Sequence, residues 1–365
     1  MLGEDHLSGN AFRRLSVLKA MVRVGGLKGS SRLSDLACRN PDYKQQASKE
    51  KQYKRWVIIE YTSYLGHYLP YVKALLEIMS VQGSLVFRID GSTAGRGCMV
   101  LMLRVIYQNR AIARRNPVVW TTMRAKKGHL PEQTHRALLK RLTEIVPPDC
   151  QISIVGDGEY DGCDWQADIV GYGWDYVLRT GYAKLAEQAP QDMLALKWLA
   201  AAVGETIFAL TDAYFTHQHH GPVTITVWYE GKHKEAIYLL SNLDYPPIVT
   251  KLYKKRFKPG RWAIVTFFSN QKSRGFNLHR SHLDDPERLA KLHIITCLAY
   301  IFCILAGIQC RQSQHHPVVH RIDRCDLSLF SLGKPFLEIL VDLRGWCVLD
   351  LELLVNQTNY ESVRK

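Results

Sequence analysis

Between Ser84 and Thr180 the chain passes through five short stretches rich in β-branched and apolar residues, SLVFRID, MVLMLRVIY, PVVWTT, QISIVGD and DYVLRT. Turn residues such as Gly91, Gly95 and Asn109 separate them. PEQTHRALLKRLTEIV, closed by Pro147 and Pro148, has helical spacing and lies between the third and fourth stretches. GCDWQADIVGYG reads as a short helix between the fourth and fifth. The order strand, strand, strand, helix, strand, helix, strand predicts an α/β fold built on one sheet of mixed strand direction. With 365 residues at 47% hydrophobic content the chain buries full cores, which excludes a coiled coil or a disordered tail.

Helical spacing dominates before this region, with Leu15, Leu18, Met21 and Val22 and later Tyr64, Leu65, Tyr68, Leu69, Val72, Leu75 and Leu76 recurring every three or four residues. Residues 1–80 are therefore expected to form an all-helical region and 81–181 the first part of the α/β domain. Residues 182–247 read as a β-rich insertion, with strand-like VTITVWY and AIYLLSNL and a helix-like MLALKWLAAAV. Helical character returns over 248–335, where Asp285 caps a long helix with Pro286 at its first position. A tail is expected over 336–365. The apolar run Ile294–Ile308, 15 residues including Thr296, is shorter than the roughly 20 that cross a bilayer, so it predicts a buried helix and no membrane partner. Nine cysteines without a C-x-x-C pair read as reduced thiols, and the start of the sequence lacks a basic n-region and apolar h-region, so a cytoplasmic protein is expected.

Lysine and arginine number 48 against 34 acidic residues, a formal +14, which calls for a polyanionic partner: nucleic acid, a membrane surface or an acidic protein. The segment RNPDYKQQASKEKQYKRW is either a solvated helix face or a phosphate-contacting one. Two carboxylates stand out. Asp90 ends LVFRID and Asp157 ends ISIVGD, each followed by glycine. On adjacent strands they would converge on one spot suited to Mg²⁺, whereas the bland reading is that each Asp-Gly starts a turn.

FRIDGSTAGRGCMVLMLRVIY, KKGHLPEQTHRALL, IVGDGEYDGCDWQADIVGYGWDYVLRT and FFSNQKSRGFNLHRSHLDDPERL closely resemble the insertion-sequence DDE transposases of the insertion-sequence-four branch, and RCDLSLFSLG from Arg324 resembles their C-terminal signature. The resemblance runs from about residue 10 to 335. It implies a ribonuclease-H-like mixed sheet flanked by helices, interrupted by a β-rich insertion and preceded by a helical DNA-binding region. It also implies two Mg²⁺ (or Mn²⁺) ions held by two Asp and one Glu, of which Asp90 and Asp157 match the first two. The implied chemistry is nicking of the element's terminal inverted repeats and transfer of the freed 3′ end into target DNA. The implied partners are double-stranded DNA and, on that DNA, a second copy of the chain.

The third ligand should follow the pattern Tyr, two residues, Arg, three residues, Glu, six residues, Lys. Tyr253 and Arg256 keep their spacing, but four on from Arg256 stands Gly260, and seven back from Lys272 stands Val265. KPGRW and its neighbours look like an insertion at that place. Residues 251–280 hold nine lysines and arginines and no acid. Either Glu159 or Glu235 replaces the ligand, or the site is degenerate; the expectation is degeneration. Tyr253, Arg256, Lys272, Lys126, Lys127, Arg274 and Arg280 are expected along the DNA path, because a site acting on a polyanion needs cations on its backbone. Trp174, Trp228 and Trp262 are either core or platforms for an unpaired base.

Overall fold

The computed structural model describes residues 9–344 apart from 42, 82, 110–111, 127–129, 188–192, 202–206, 230–234, 256–262, 273–274 and 322–326. Five helices come first: α1 (Gly9–Lys28), α2 (Leu33–Arg39), α3 (Gln46–Ile58), α4 (Tyr64–His67) and α5 (Leu69–Ser80). Then follow β1 (Ser84–Ala94), β2 (Cys98–Asn109), β3 (Ile112–Arg124), α6 (Glu132–Thr143), β4 (Gln151–Gly156), α7 (Cys163–Gly171) and β5 (Asp175–Thr180), in the order the residue pattern dictates. The insertion supplies β6 (Leu185–Glu187), β7 (Leu194–Ala195), α8 (Leu196–Ala201), β8 (Ile207–Phe215), β9 (His220–Trp228) and β10 (Ile237–Ser241). The chain closes with α9 (Pro246–Lys255), α10 (Ala263–Gln271), α11 (Pro286–Gln312), α12 (His316–Val319) and α13 (Leu329–Arg344).

One ten-stranded sheet runs β3-β2-β1-β4-β5-β10-β9-β8-β6-β7. β1, β4 and β5 are parallel neighbours, and β10 joins β5 antiparallel, so the fold is the ribonuclease-H-like mixed sheet. The insertion continues the sheet. Its strand β8 escaped the sequence reading because IFALTDAYF breaks alternation at an irregularity between Leu210 and Ala213, where Asp212 adopts φ 54°. The run read as helical begins instead as β7, with α8 after it.

Two compact units emerge. The first comprises 75–93 and 99–265 and contains the sheet; the second comprises 1–74, 94–98 and 266–365. In the sheet unit, Val86, Val155, Val177 and Leu239 pack with Val249, Leu252 and Tyr253 of α9, so that helix covers one face. α6 buries His135, Leu138, Leu139 and Leu142, spaced to form one stripe. α6 is tied to α7 by Arg136, which donates from Nε to Asp168 Oδ2 at 2.6 Å and from Nη2 to Oδ1 at 3.0 Å.

In the helical unit, residues from 266 onward cluster with the N-terminal helices. α11 is the reason: it is buried around its whole circumference and takes α1 and α13 as neighbours. Close approach demands glycine. A Cβ on Gly26 of α1 would lie 3.1 Å from Phe302, and one on Gly333 of α13 would collide with the Cys303 carbonyl. α11 is long and apolar enough by length and composition to cross a membrane, yet 89% of its apolar window is buried inside the protein, as a core helix requires. Its first turn is held as expected, Asp285 accepting from the Arg288 amide at 2.8 Å. α13 crosses the expected boundary at 335/336, and 345–365 lie outside the described residues.

Candidate active-site cleft

The sheet unit changes direction of growth at β1. From there β2 and β3 extend one way, while α6 carries the chain back to place β4 on the other side. Such a switch leaves an open crevice at the carboxyl ends of the parallel strands, where α/β sheets bind ligands. The β1/β4 register pairs Arg88 with Val155, so two residues further along, Asp90 stands level with Asp157. Gly156 permits the approach, since a Cβ there would meet Leu178 at 2.8 Å and Ile89 at 3.1 Å. Both aspartates line a cleft of about 910 Å³.

Three more carboxylates line the cleft: Glu159, Asp161 and Glu235. Asp161 is engaged, accepting from Thr180 Oγ1 at 2.6 Å and facing Lys184 Nζ at 3.6 Å. Glu159 and Glu235 are exposed. Basic side chains on the same walls are Arg179, Lys184 and Lys197. Tyr160 is buried beneath the cleft, where desolvation, reinforced by the negative charge of Asp90, Glu159 and Asp157, raises its phenol far above its ordinary range. His135 lies edge-on to Tyr160 at 5.0 Å between ring centroids, and burial lowers its imidazole to about 4, so it stays neutral.

The surroundings of Asp90 were missed by the sequence reading. Arg88, two residues earlier on the same face of β1, reaches Asp90 Oδ2 from Nη2 at 3.0 Å. Arg104 of β2 donates to the same oxygen at 3.1 Å. Both guanidiniums are inside the protein, at 5% and 1% exposure. The signal was available: SLVFRID and MVLMLRVIY each carry one arginine in an otherwise apolar run, and a strand charge is buried only when paired.

The expected DNA-path residues separate. Tyr253 is fully buried and packs in the sheet core. Lys126 is exposed; Lys272 is half-buried and Arg280 exposed, both in the helical unit. Lys127, Arg256 and Arg274 lie outside the described residues, as does Gly260. Val265 falls within the helical backbone of α10. Trp174 and Trp228 are buried, which is the core alternative, with Lys254 Nζ 4.5 Å from the Trp228 ring centre.

Topology and cleft together define a ribonuclease-H-like domain with one aspartate on β1 and a second just after β4 lining the same cleft. Residues 121–302, just under half of the chain, match the transposase DDE domain family, which supports a DDE transposase. The match includes Asp157 and leaves Asp90 outside it. Among solved structures, the chain is similar to a piggyBac transposase, seen by cryo-EM as a synaptic complex with hairpin DNA. The two are 12% identical over 97% of this chain and 78% of that one, with a TM-score of 0.44. It is also similar to Ciona intestinalis endonuclease V in complex with an inosine-containing 24mer DNA (12% identity, 52% and 88% coverage, TM-score 0.27). A further likeness is to A. aeolicus Argonaute (13%, 58% and 29%, 0.24). No curated protein sequence matches the chain.

DDE transposases generally use divalent metals. Among the described residues no group of three or more His, Cys, Asp or Glu side chains is placed to hold a metal ion, and Asp90 Oδ2 is already occupied by two guanidiniums. The donor set described here does not fit a two-ion site.

Proposed function

We propose that the chain is a DNA-binding protein of the DDE transposase class that engages the terminal inverted repeats of its element as a homodimer and has lost efficient strand cleavage. The observation that carries this reading is the cleft itself: two aspartates level on neighbouring strands, as the class requires, without a third acid from 251–280, where nine basic residues and no carboxylate stand. The match over 121–302 and the +14 charge support DNA as the partner. A second reading is favoured by one observation, that Glu159 and Glu235 line the same cleft. In that reading one of them completes the site and the chain cuts.

The test is binding and cleavage of a duplex carrying the element's end beside a scrambled duplex of equal length. Expected are preferential binding of the end and a log affinity that falls by about 0.9 per phosphate contact for each log unit of salt. With Mg²⁺ or Mn²⁺ added, little nicking is expected. Equal, salt-insensitive binding of both duplexes would overturn the transposase reading. Robust nicking that disappears with Glu159→Gln or Glu235→Gln would replace the first reading with the second.

A further inference from the structure

We propose that Arg88 and Arg104 form a built-in cationic clamp that takes the place of divalent metal at Asp90, so that the cleft accepts a phosphate backbone without a metal ion and keeps divalent ions out. The inference rests on the DNA-binding reading for its ligand, but the clamp itself stands on geometry. Two Nη2 atoms converge on one carboxylate oxygen at 3.0 and 3.1 Å. The side chains bearing them are 6% and 2% exposed against 22% for Asp90, so the cations sit behind the carboxylate and the carboxylate faces the cleft. Neither guanidinium can be titrated away, because arginine stays protonated at any pH at which the protein folds.

Charge balance points the same way. Five carboxylates and three basic side chains line the cleft, leaving an excess of two negative charges. In a metal-dependent site that excess is what draws the ions. Here the two buried guanidiniums cancel it, and a polyanion approaches a wall that is neutral rather than repelling. The same two charges stand within a few ångströms of any cation that would bind Asp90 and oppose it at short range. A carboxylate with this neighbourhood is a fixed acceptor and not a ligand in waiting.

The experiment uses the full chain without DNA and Mn²⁺ alone as the probe, followed by electron paramagnetic resonance. The unmodified protein is expected to show no saturable Mn²⁺ site that depends on Asp90 or Asp157. Replacing both arginines, Arg88→Met with Arg104→Met, keeps an unbranched apolar stem while removing the charges. That variant should bind Mn²⁺ at least about tenfold more tightly, the scale on which one neighbouring charge alters the cation affinity of a carboxylate. Adding Asp90→Asn to the double variant should abolish the gain. A tight Mn²⁺ site in the unmodified protein that is lost in Asp157→Asn overturns the proposal, and that arm needs no arginine variant to fold. A folded double variant with unchanged Mn²⁺ affinity overturns it too. Because no DNA is present, these outcomes are separate from whether the chain recognises inverted repeats. A parallel titration of end DNA in EDTA and in Mg²⁺ should give the same affinity within about twofold; dependence on Mg²⁺ would refute the metal-free cleft while leaving the DNA-binding reading intact.

Discussion

Asp90→Asn separates a metal site from an ion-paired one by the sign of its effect on stability. In a metal site without metal, carboxylates held close together repel, and replacing one with a neutral amide relieves the repulsion, so the folded state gains. Asp90 is instead the shared counter-charge of two buried guanidiniums. At 3.0 and 3.1 Å each pair has a gross attraction of about 5 kcal/mol at an effective dielectric near 20, set against several kcal/mol of desolvation per ion. The net worth of the cluster is therefore small, but its disruption is costly, because asparagine removes a negative charge that both buried cations share. Removing one partner of a buried pair costs about 3–5 kcal/mol. Since Asp90 is 22% exposed and water screens part of the field, the lower end applies, about 3 kcal/mol.

For a unit the size of the sheet domain this corresponds to a loss of about 6–12 °C in the unfolding midpoint. The measurement is a thermal or urea melt of both proteins in EDTA at pH 7. Arg104→Met, which leaves Asp90 paired to Arg88 and partly hydrated, should lose less, about 1–3 kcal/mol. An Asp90→Asn protein as stable as the unmodified chain, or more stable, would refute the reasoning, since it would mean that the carboxylate is repelled by its surroundings and not held by them.

Other perturbations test the framework around the cleft. Burial lowers His135 to about 4, so between there and its unfolded value of 6.5 the unfolded chain binds the extra proton. The stability is full above pH 6.5 and is lost as pH falls through that window, by up to about 3 kcal/mol, and His135→Phe should flatten that part of the urea-midpoint profile. Gly333→Ala drives a methyl group into the Cys303 carbonyl and should destabilise the helical unit by about 1–3 kcal/mol, whereas Gly171→Ala, with nothing near its Cβ, should leave the midpoint unchanged or slightly raised. Asp285→Ala removes the acceptor for the Arg288 amide at the start of α11 and should cost about 1 kcal/mol in the same melt.

The strand and helix order from β1 to β5 was legible because each element declares itself locally: DYVLRT holds a short apolar run, PEQTHRALLKRL has one apolar stripe, and Gly and Pro punctuate between them. Asp90 and Asp157 were legible as a pair for the same reason, since each closes an apolar run. Their level placement needed the strand order, which no local pattern contains. The association of α11 with α1 and α13 was not legible either. A helix apolar around its whole circumference announces burial without naming what buries it. Tyr253 misled because a motif spacing was matched where the side chain serves the core beneath the sheet.

Arg88 and Arg104 change what the presence of Asp90 signifies. An aspartate on a central strand, level with another, is ordinarily read as evidence for metal chemistry, because charge is held beside a cleft only for a purpose. In this protein a second purpose is present. Two strands carry arginines into an apolar interior, and each buried cation requires an anion within hydrogen-bond reach. Asp90 supplies it for both. With both arginines buried, the aspartate contributes to folding independently of any chemistry in the cleft. The ion pairs thus account for Asp90 through the stability of the sheet, and its presence does not by itself argue for phosphoryl transfer.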